Sequence, residues 1–354
     1  MRSSPPTRAK NSNTAIRVNR LNTKVITAEY LSQAAQALRD GGTVVFPTET
    51  VYGLGADGLN DAAVGKIYEA KGRPGDNPLI IHIADKADVA QLVREIPPAA
   101  QLLMQRYWPG PLTLIFPKSE RVGRVVTAGL DTVAVRMPSN RIARALIRES
   151  GVYVAAPSAN LSGSPSPTTV EHVIDDLDGR VNFIIDGTGC EIGLESTVVD
   201  VSVTPPVLLR PGAVTLEELR ELFPDIVTGR QEEENAPKCP GMKYTHYAPK
   251  AQVTVVYGPK GRRQEYIKEC LKGEPNAGVL TYRGGRYEDA KLVIDAGESM
   301  QAYASGLFAN LRNFDTHQIR VIYAEFEQAG GMGRAVQNRL YKAAGYRVIN
   351  LYEK

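Results

Sequence analysis

The sequence predicts an α/β protein of two domains. The first is built on a twisted mixed sheet with helices, and the second, smaller one on a Rossmann-like parallel sheet. Three observations predict this class. The chain has 354 residues, and domains are commonly about 100–200 residues long. Strand-like and helix-like segments alternate along it. A polar stretch with several prolines interrupts the alternation.

The polar stretch sets the domain boundaries. It covers residues 228–250 and combines an acidic run with prolines, a composition typical of an interdomain linker. Residues 1–22 are polar and basic, and we expect them to form a flexible N-terminal tail. The first domain then spans residues 23–227 and the second spans residues 251–354.

The predicted strands of the first domain are short runs of apolar and β-branched residues. They are Thr43–Phe46, Leu79–Ile83, Leu112–Phe116, Thr132–Met137, Val152–Ala156, Phe183–Asp186 and Thr197–Val201. The predicted helices follow apolar residues at helical spacing. One begins at Asn60 or Asp61, others lie near 87–95, 99–107, 140–149 and 169–177, and the last opens with a capping box from Thr215 to Glu218.

The second domain alternates strand and helix more regularly. Its predicted strands are Val253–Tyr257, Gly278–Tyr282, Leu292–Asp295 and Arg320–Glu325, and its predicted helices are 262–272, 300–313 and 333–344. Strands separated by helices predict a small, doubly wound parallel sheet.

The composition excludes several classes of protein. The net charge is +3, too weak to indicate nucleic-acid binding without a clustered patch. No apolar run approaches the ~20 residues that span a bilayer. Three well-separated cysteines argue against a disulfide framework and suit a cytoplasmic protein. Because none of the four histidines pairs with another at a ligand interval, we predict no protein-bound metal.

The segment from Lys71 to Pro78 is the first candidate for chemistry. Lys71 and Arg73 flank a glycine, and two cations with nearby backbone N–H groups suit a triphosphate. The alternative is a basic helix C-terminus that complements the helix dipole and breaks at Pro74. The sequence contains no P-loop motif.

Strand parity supplies further candidates. His82 points away from the apolar face of its strand, and Thr132 and Arg136 share one face of theirs. A buried arginine needs an anion, which is either a structural carboxylate or a ligand. The loop from Ala156 to Asn160 offers small donors. No Ser-His-Asp or Cys-His set is visible, so the donors and cations suit a reaction in which bound substrates attack each other.

Taken together, these segments resemble the two-domain threonylcarbamoyl-AMP synthases, whose first domain has the YrdC-like fold. The segments that carry the resemblance are Pro47–Leu54, Lys71–Pro74, Asn77–Leu79, Trp108–Thr113, Ala156–Gly163, Glu195–Val198, Arg210–Gly212 and Pro240–Tyr244. The resemblance implies that L-threonine, bicarbonate and ATP are joined into threonylcarbamoyl-adenylate with release of pyrophosphate. It also implies a partner transferase that moves the threonylcarbamoyl group onto tRNA next to the anticodon.

The resemblance also implies roles for individual residues. The expected threonine pocket is Thr50, His82, Arg136, Ala156 and Ser196. The expected ATP contacts are Arg73, Asn77, Thr132, Ser158, Ser166, Arg210 and Tyr244. Lys71 and Arg73 are the expected catalytic cations, and Mg²⁺ is expected to arrive with ATP.

Other interpretations stay open at this point. YrdC-like domains also occur in carbamoyl-transfer enzymes of the hydrogenase-maturation type, and their concave basic surface suits an RNA-binding module. The linker at 228–250 is either an active-site lid or a segment that packs the domains together. A glycine-rich turn at residues 330–333 hints at an anion site, although domain packing or partner docking is the favoured interpretation.

Overall fold

The computed structural model describes residues 21–187, 189–229 and 246–352. In this part of the chain the strands form two separate sheets, one of 11 strands and one of 5 strands. The larger sheet lies entirely within the predicted first domain, apart from Thr228 at its last position, and the smaller sheet lies within the second. An α/β protein with two sheets is therefore confirmed.

The larger sheet is mixed, as predicted. Its strands are β1 (Lys24–Ile26), β2 (Val44–Phe46), β3 (Gly53–Asp57), β4 (Ile80–His82), β5 (Leu112–Pro117), β6 (Thr132–Arg136), β7 (Val154–Ala155), β8 (Phe183–Ile185), β9 (Thr197–Asp200), β10 (Val207–Arg210) and β11 (Val227–Thr228). They lie in the order β1-β8-β2-β3-β7-β4-β6-β5-β9-β10-β11. β4 and β6 are parallel and place His82 beside Arg136 in the ladder.

Helices cover this sheet. They are α1 (Leu31–Arg39), α2 (Asp61–Lys71), α3 (Val89–Leu92), α4 (Pro98–Tyr107), α5 (Arg141–Ser150), α6 (Val170–Leu177) and α7 (Leu216–Leu222), with single 3-10 turns at Ala28–Tyr30 and Lys86–Asp88. The Asn60 side chain caps α2 by accepting from two backbone N–H groups. The predicted capping box of α7 is present in full.

Some elements differ from the prediction. The helix expected near 87–95 is a 3-10 turn followed by α3, and it ends at Leu92 because Val93 is extended and forms a bridge with Lys118. The sequence analysis did not predict α1, β1, β3 or β11. β1 and β11 are only 3 and 2 residues long and lie at the two edges of the sheet, so their sequences carry little periodicity.

The second domain has the predicted parallel architecture. In chain order it contains β12 (Gln252–Tyr257), α8 (Lys260–Leu271), β13 (Ala277–Thr281), β14 (Leu292–Asp295), α9 (Met300–Thr316), β15 (Val321–Phe326), α10 (Met332–Ala343) and β16 (Val348–Asn350). Every ladder is parallel, in the order β14-β13-β15-β12-β16. The half-buried edge strand β16 is the one strand here that was not predicted.

The two domains share a buried interface. Val51 and Leu194 of the first domain belong to the same apolar cluster as Phe308 of α9. The glycine-rich turn before α10 also lies at this interface. There the backbone N–H of Gly331 hydrogen-bonds the carboxylate of Glu217, which belongs to the first domain. The anion at this turn is therefore a side chain of the same protein, in line with the packing interpretation.

Candidate active site

A single cleft gathers most of the predicted site residues. Its empty space, counted together with the solvent in its open mouth, is about 690 Å³. Its lining comes from the loop after β2, the end of α2, β4, β6, the loop after β7, the segment before β9, the end of β10 and the chain leading into β12. The lining residues are Thr48, Thr50, Val51, Tyr52, Gly53, Lys71, Arg73, Ile80, His82, Arg136, Ala156, Pro157, Ser158, Asn160, Ser162, Gly163, Glu195, Ser196, Arg210, His246 and Tyr247.

Arg136 lies at the end of β6 and is buried in an ion pair. Its Nη2 donates to Glu49 Oε1 at 2.7 Å, and its Nη1 donates to Thr50 Oγ1 at 2.9 Å. The sequence left open whether a carboxylate or a ligand neutralises this arginine, and the structure shows the carboxylate. Because a guanidinium has five N–H groups, Arg136 keeps donors for a ligand as well.

His82 is neutral near physiological pH in this environment. It is 4% exposed, and its Nδ1 lies 3.1 Å from the carbonyl oxygen of Ile80. Burial, together with the positive charge of Arg136, lowers the pKa of His82 to about 3. The imidazole can therefore hydrogen-bond a ligand without adding charge. It lines the cleft, on the side of its strand opposite to the apolar face, as strand parity predicted.

Lys71 is the last residue of α2, and its ammonium points at the loop after β7. Its Nζ donates to the carbonyl oxygens of Ser158 and Asn160, both at 2.5 Å. Burial, followed by the charge of Arg73, lowers the pKa of Lys71 well below its usual value. The expected cation therefore lies in the cleft, and in this structure it fixes the 158–160 loop.

Arg73 follows the glycine that ends α2 in a left-handed conformation, with φ +60° at Gly72. Its Nη2 is 3.4 Å from the carbonyl oxygens of both Asn77 and Pro78. Its Nε is buried and has no hydrogen-bond partner among the described residues. Such an arginine retains donors and a full positive charge for an anion.

Ser196 and Arg210 form a third polar group in the cleft. Arg210 donates from Nη2 to Ser196 Oγ at 3.1 Å and from Nε to the Ser196 carbonyl oxygen at 3.0 Å. The Ser196 hydroxyl also lies 2.7 Å from Thr113 Oγ1. These contacts join the end of β10 to the start of β9, so the expected threonine and ATP residues are linked here.

The structure brings nine of the predicted residues together, and three other described ones do not line the cleft. Those that line the cleft are Thr50, Lys71, Arg73, His82, Arg136, Ala156, Ser158, Ser196 and Arg210. Tyr244 lies outside the described residues. Asn77, Thr132 and Ser166 do not line the cleft in this structure, and their assignment to ATP stays a prediction.

The structure shows why each of these three residues is absent from the lining of the cleft. Ser166 is fully buried and donates to Glu195 Oε1 at 2.6 Å. The backbone carbonyl of Asn77 accepts from the Tyr68 hydroxyl, while its side chain is buried. Thr132 shares a face with Arg136, but four residues along a strand correspond to roughly 13 Å. Parity predicts the face that Thr132 and Arg136 share and makes no prediction about their separation along β6.

Sequence reasoning assigned no individual role to several lining residues. They include Asn160, Glu195, His246 and Tyr247. All four lie in or beside segments that carried the family resemblance, and this position was the signal from which sequence reasoning could have found them. Tyr247 packs on Phe308 of α9, with ring centroids 5.0 Å apart, so the second domain supports one wall of the cleft.

The charges and chemistry of the cleft define its class. Lys71, Arg73, Arg136 and Arg210 line it, and Glu195 is the one carboxylate among its described lining residues. Cys190 packs nearby, but burial raises the pKa of its thiol to about 12, so it is not a ready nucleophile. The site is that of an enzyme that binds anionic substrates and lets them react with each other.

Two negative findings apply to the described part of the chain. No group of three or more His, Cys, Asp or Glu side chains lies together as possible metal ligands. No described helix is long and apolar enough to cross a membrane.

Comparison with known proteins identifies the family. A family model of Sua5, YciO and YrdC proteins, described as telomere recombination, matches residues 36–212. A model described as the threonylcarbamoyl-AMP synthase C-terminal domain matches residues 214–345. The chain belongs to the threonylcarbamoyl-AMP synthase family, in its two-domain Sua5 form. The resemblance inferred from the motifs is confirmed.

Individual relatives cover nearly the whole chain. The threonylcarbamoyl-AMP synthase of Pyrococcus abyssi is 50% identical over 325 residues, which are 90% of this chain and 95% of that protein. The Bacillus subtilis enzyme is 50% identical over 326 residues, 90% and 94% of the two chains. The crystal structure of P. abyssi Sua5 complexed with L-threonine matches with a TM-score of 0.89 and 47% identity, covering 93% of this chain and 99% of that one.

Proposed function

We propose that this enzyme joins L-threonine, bicarbonate and ATP into threonylcarbamoyl-AMP, releasing pyrophosphate and water. The observation that carries the proposal is the convergence of Lys71, Arg73, Arg136 and Arg210 on one cleft. Two anionic substrates can be held there at close range. The relatives' activity and the L-threonine bound to P. abyssi Sua5 support it.

The reaction requires no nucleophile from the protein. The amine of threonine attacks the carbon of bicarbonate with loss of water, or the carbon of CO₂ with loss of a proton, and the product is a carbamate. A carbamate oxygen then attacks the α-phosphorus of ATP, the bond from that phosphorus to the α,β-bridging oxygen breaks, and pyrophosphate leaves. Holding the reactants together and screening their charges can supply several kcal/mol of the barrier reduction.

We assign the threonine end of the cleft to Arg136, Thr50 and His82. Arg136 would pair with the carboxylate of threonine, for which its remaining N–H groups are suited. The neutral imidazole of His82 would accept or donate a hydrogen bond without repelling the amine. Ala156 and Ser196 complete this end.

We assign the ATP end to Arg73, Ser158 and Arg210. Arg73 brings the charge that a triphosphate requires, and Lys71 positions the loop that carries Ser158. Mg²⁺ enters with ATP in this proposal, because phosphate oxygens are the hard ligands that the ion prefers. Asn77, Thr132, Ser166 and Tyr244 stay proposed ATP contacts.

The wider context is also a proposal. Threonylcarbamoyl-AMP is a mixed anhydride, so a transferase must consume it before water does, and we place that transferase downstream, with tRNA as the acceptor. Direct contact of this chain with tRNA is expected to be weak or indirect, given the net charge of +3. A cytoplasmic location, expected from the cysteine content, belongs to the same proposal.

The test is an assay of pyrophosphate release together with mass spectrometry of the product. We expect release to need threonine and bicarbonate together, and the mass of threonylcarbamoyl-AMP to appear. Serine lacks one methyl group and should be used about tenfold less efficiently. Equal release with threonine or bicarbonate omitted would contradict the proposal and indicate a plain pyrophosphatase or an amino-acid adenylating enzyme.

A further inference from the structure

Two arginines of the second domain reach into the loops that line the cleft. One is Arg339 on α10, which is fully buried. Its Nε donates to Glu195 Oε2 at 3.1 Å, and its Nη2 donates to the carbonyl oxygen of Glu195 at 3.1 Å. Its Nη1 donates to the carbonyl oxygen of Pro211 at 2.5 Å. One side chain from the second domain therefore holds both segments that flank Ser196 and Arg210.

The other is Arg312 on α9. Its Nη2 donates to the carbonyl oxygen of Pro165 at 2.6 Å and lies 2.7 Å from Asp176 Oδ2. That carboxylate oxygen also accepts from the backbone N–H of Leu161 at 3.1 Å. Arg312 thus fixes the loop after β7 from outside, while Lys71 fixes it from inside.

Glu195 connects the first loop, residues 158–166 after β7, with the second loop, residues 195–196 before β9. Its Oε1 accepts from the hydroxyl of Ser166, at the end of the first loop, and its Oε2 accepts from Arg339. The first loop contributes Ser158 to the cleft, and the second contributes Glu195 itself. A displacement of either loop therefore moves the side chains that face a ligand.

The charge of Glu195 gives Arg339 a second effect. A buried carboxylate in the lining of an anion site repels a triphosphate unless a cation neutralises it. Arg339 is the ion-pair partner of Glu195, with a nitrogen–oxygen distance of 3.1 Å in a fully buried position. Without it, Glu195 would keep only Arg210 as a neutralising cation and Ser166 as an anchor, and it would oppose ATP binding more strongly.

We propose that the second domain completes the ATP site through Arg339 and Arg312, which act as positioning residues for the 158–166 and 195–196 loops. The inference rests on the proposed function, because it concerns the same cleft. It assigns to the second domain a part in substrate binding, in addition to packing.

The experiment compares two lysine substitutions on one helix, both in the full-length chain. Arg339→Lys keeps the positive charge, but a lysine cannot make all three hydrogen bonds that Arg339 donates to Glu195 and Pro211. Arg334→Lys is the matched control, because Arg334 also crosses the interface, to Glu217 at 3.3 Å, but is about half exposed and contacts neither loop. Calorimetry with a non-hydrolysable ATP analogue measures binding, and thermal melting measures stability. We expect roughly tenfold weaker binding for Arg339→Lys and a change within about twofold for Arg334→Lys.

A double-mutant cycle tests the route. Arg339→Lys should weaken binding of the analogue in the otherwise unaltered chain, and it should have little further effect when it is added to Glu195→Gln. Effects that multiply would show that Arg339 does not act through Glu195 and would overturn this part of the proposal.

Arg312→Lys keeps the proposal testable if Arg339→Lys does not fold, since Arg312 is less completely buried. It should weaken analogue binding several-fold through the other loop. A lower melting temperature with unchanged analogue binding in these variants would reduce both arginines to domain-packing residues and overturn the proposal. Failure of the unaltered chain to release pyrophosphate with threonine and bicarbonate would overturn the proposed function instead, and the binding comparison would still stand.

Discussion

Two arginines in one cleft differ in how much of their charge is already neutralised. Arg136 forms a buried ion pair with Glu49. Burial raises the pKa of the Glu49 carboxyl, but hydrogen bonds and the charge of Arg136 lower it by more, so this pKa lies below its usual value. Arg73 Nη2 lies 3.4 Å from two carbonyl oxygens, and the charge of Asp76 acts on Arg73 as well. Its buried Nε has no hydrogen-bond partner among the described residues, so Arg73 retains a donor for a phosphate oxygen.

Substitution should therefore separate the two substrates. Arg73→Ala should raise KM for ATP by about 10–100-fold, for the loss of a charge-assisted hydrogen bond of ~1.5–3 kcal/mol. For Arg136 we choose lysine, because alanine would leave Glu49 buried and unpaired. Arg136→Lys should raise KM for threonine about tenfold and change KM for ATP by less than about twofold. Steady-state titrations of both substrates measure this. Loss of affinity for the same substrate in both variants would refute the assignment.

The buried His82 links the site to the pH dependence of stability. Its folded-state pKa of about 3 is below the ordinary histidine pKa of 6.5. Between these values the unfolded state binds a proton that the folded state does not. The free energy of unfolding therefore falls as pH falls from about 6.5 towards 3. His246, whose pKa burial lowers to about 4, acts in the same direction.

Removing the imidazole should flatten this dependence. Urea unfolding between pH 5 and 6.5 avoids most carboxylate titration. Each such histidine contributes a slope of up to about 1.4 kcal/mol per pH unit in that window. His82→Gln should remove one such contribution and leave the one from His246. A slope equal to that of the unaltered protein would show that His82 titrates alike in the folded and unfolded states.

At the scale of elements, features that depend on neighbouring residues could be predicted from the sequence, and features that depend on distant residues could not. The caps at Asn60 and Thr215 depend on a few neighbouring residues, and both are present as the sequence indicated. The edge strands β1, β11 and β16 have 2 or 3 residues each, too few for a recognisable period. Whether they pair as strands depends on the neighbouring strand that each of them meets at the edge of its sheet.

The same distinction applies to the site. The alternation of side chains along a strand assigned His82 and Arg136 to the correct faces. It could not show that Glu49, from the loop after β2, reaches Arg136, or that Ser166 is turned towards Glu195. Such contacts join segments 87 and 29 residues apart. Their meeting follows from the strand order, which a single sequence does not determine.

At the scale of the whole molecule, the domain interface passes directly beside the cleft. Leu194 belongs to the apolar cluster of the second domain, Glu195 pairs with Arg339, and Ser196 lines the site. Three consecutive residues thus serve packing, anchoring and binding in turn. The sequence predicted two domains and a linker, but the interface could not be predicted, because nothing local indicates which apolar surface of one domain meets the other.

Gly193 allows this coupling to be tested. It has φ +73°, and a Cβ there would lie 2.5 Å from the carbonyl oxygen of Ser305 on α9, across the interface. Gly151 has a similar φ of +67°, and a Cβ there meets nothing within 4 Å. Gly151→Ala is therefore the matched control, because it introduces backbone strain without a clash. We expect it to lower the free energy of unfolding by about 1–2 kcal/mol. Gly193→Ala should lose about 1–3 kcal/mol more, because the clash must move α9 or the loop.

The displaced loop also carries Glu195 and Ser196, so the two variants should differ in substrate use. Gly193→Ala should raise KM for ATP several-fold, and Gly151→Ala should leave it within about twofold, because residue 151 is absent from the lining of the cleft. Urea unfolding and ATP titration of both variants measure the two effects. Equal losses of stability with unchanged KM in both would show that the loop yields to the new methyl group without disturbing either the interface or the site.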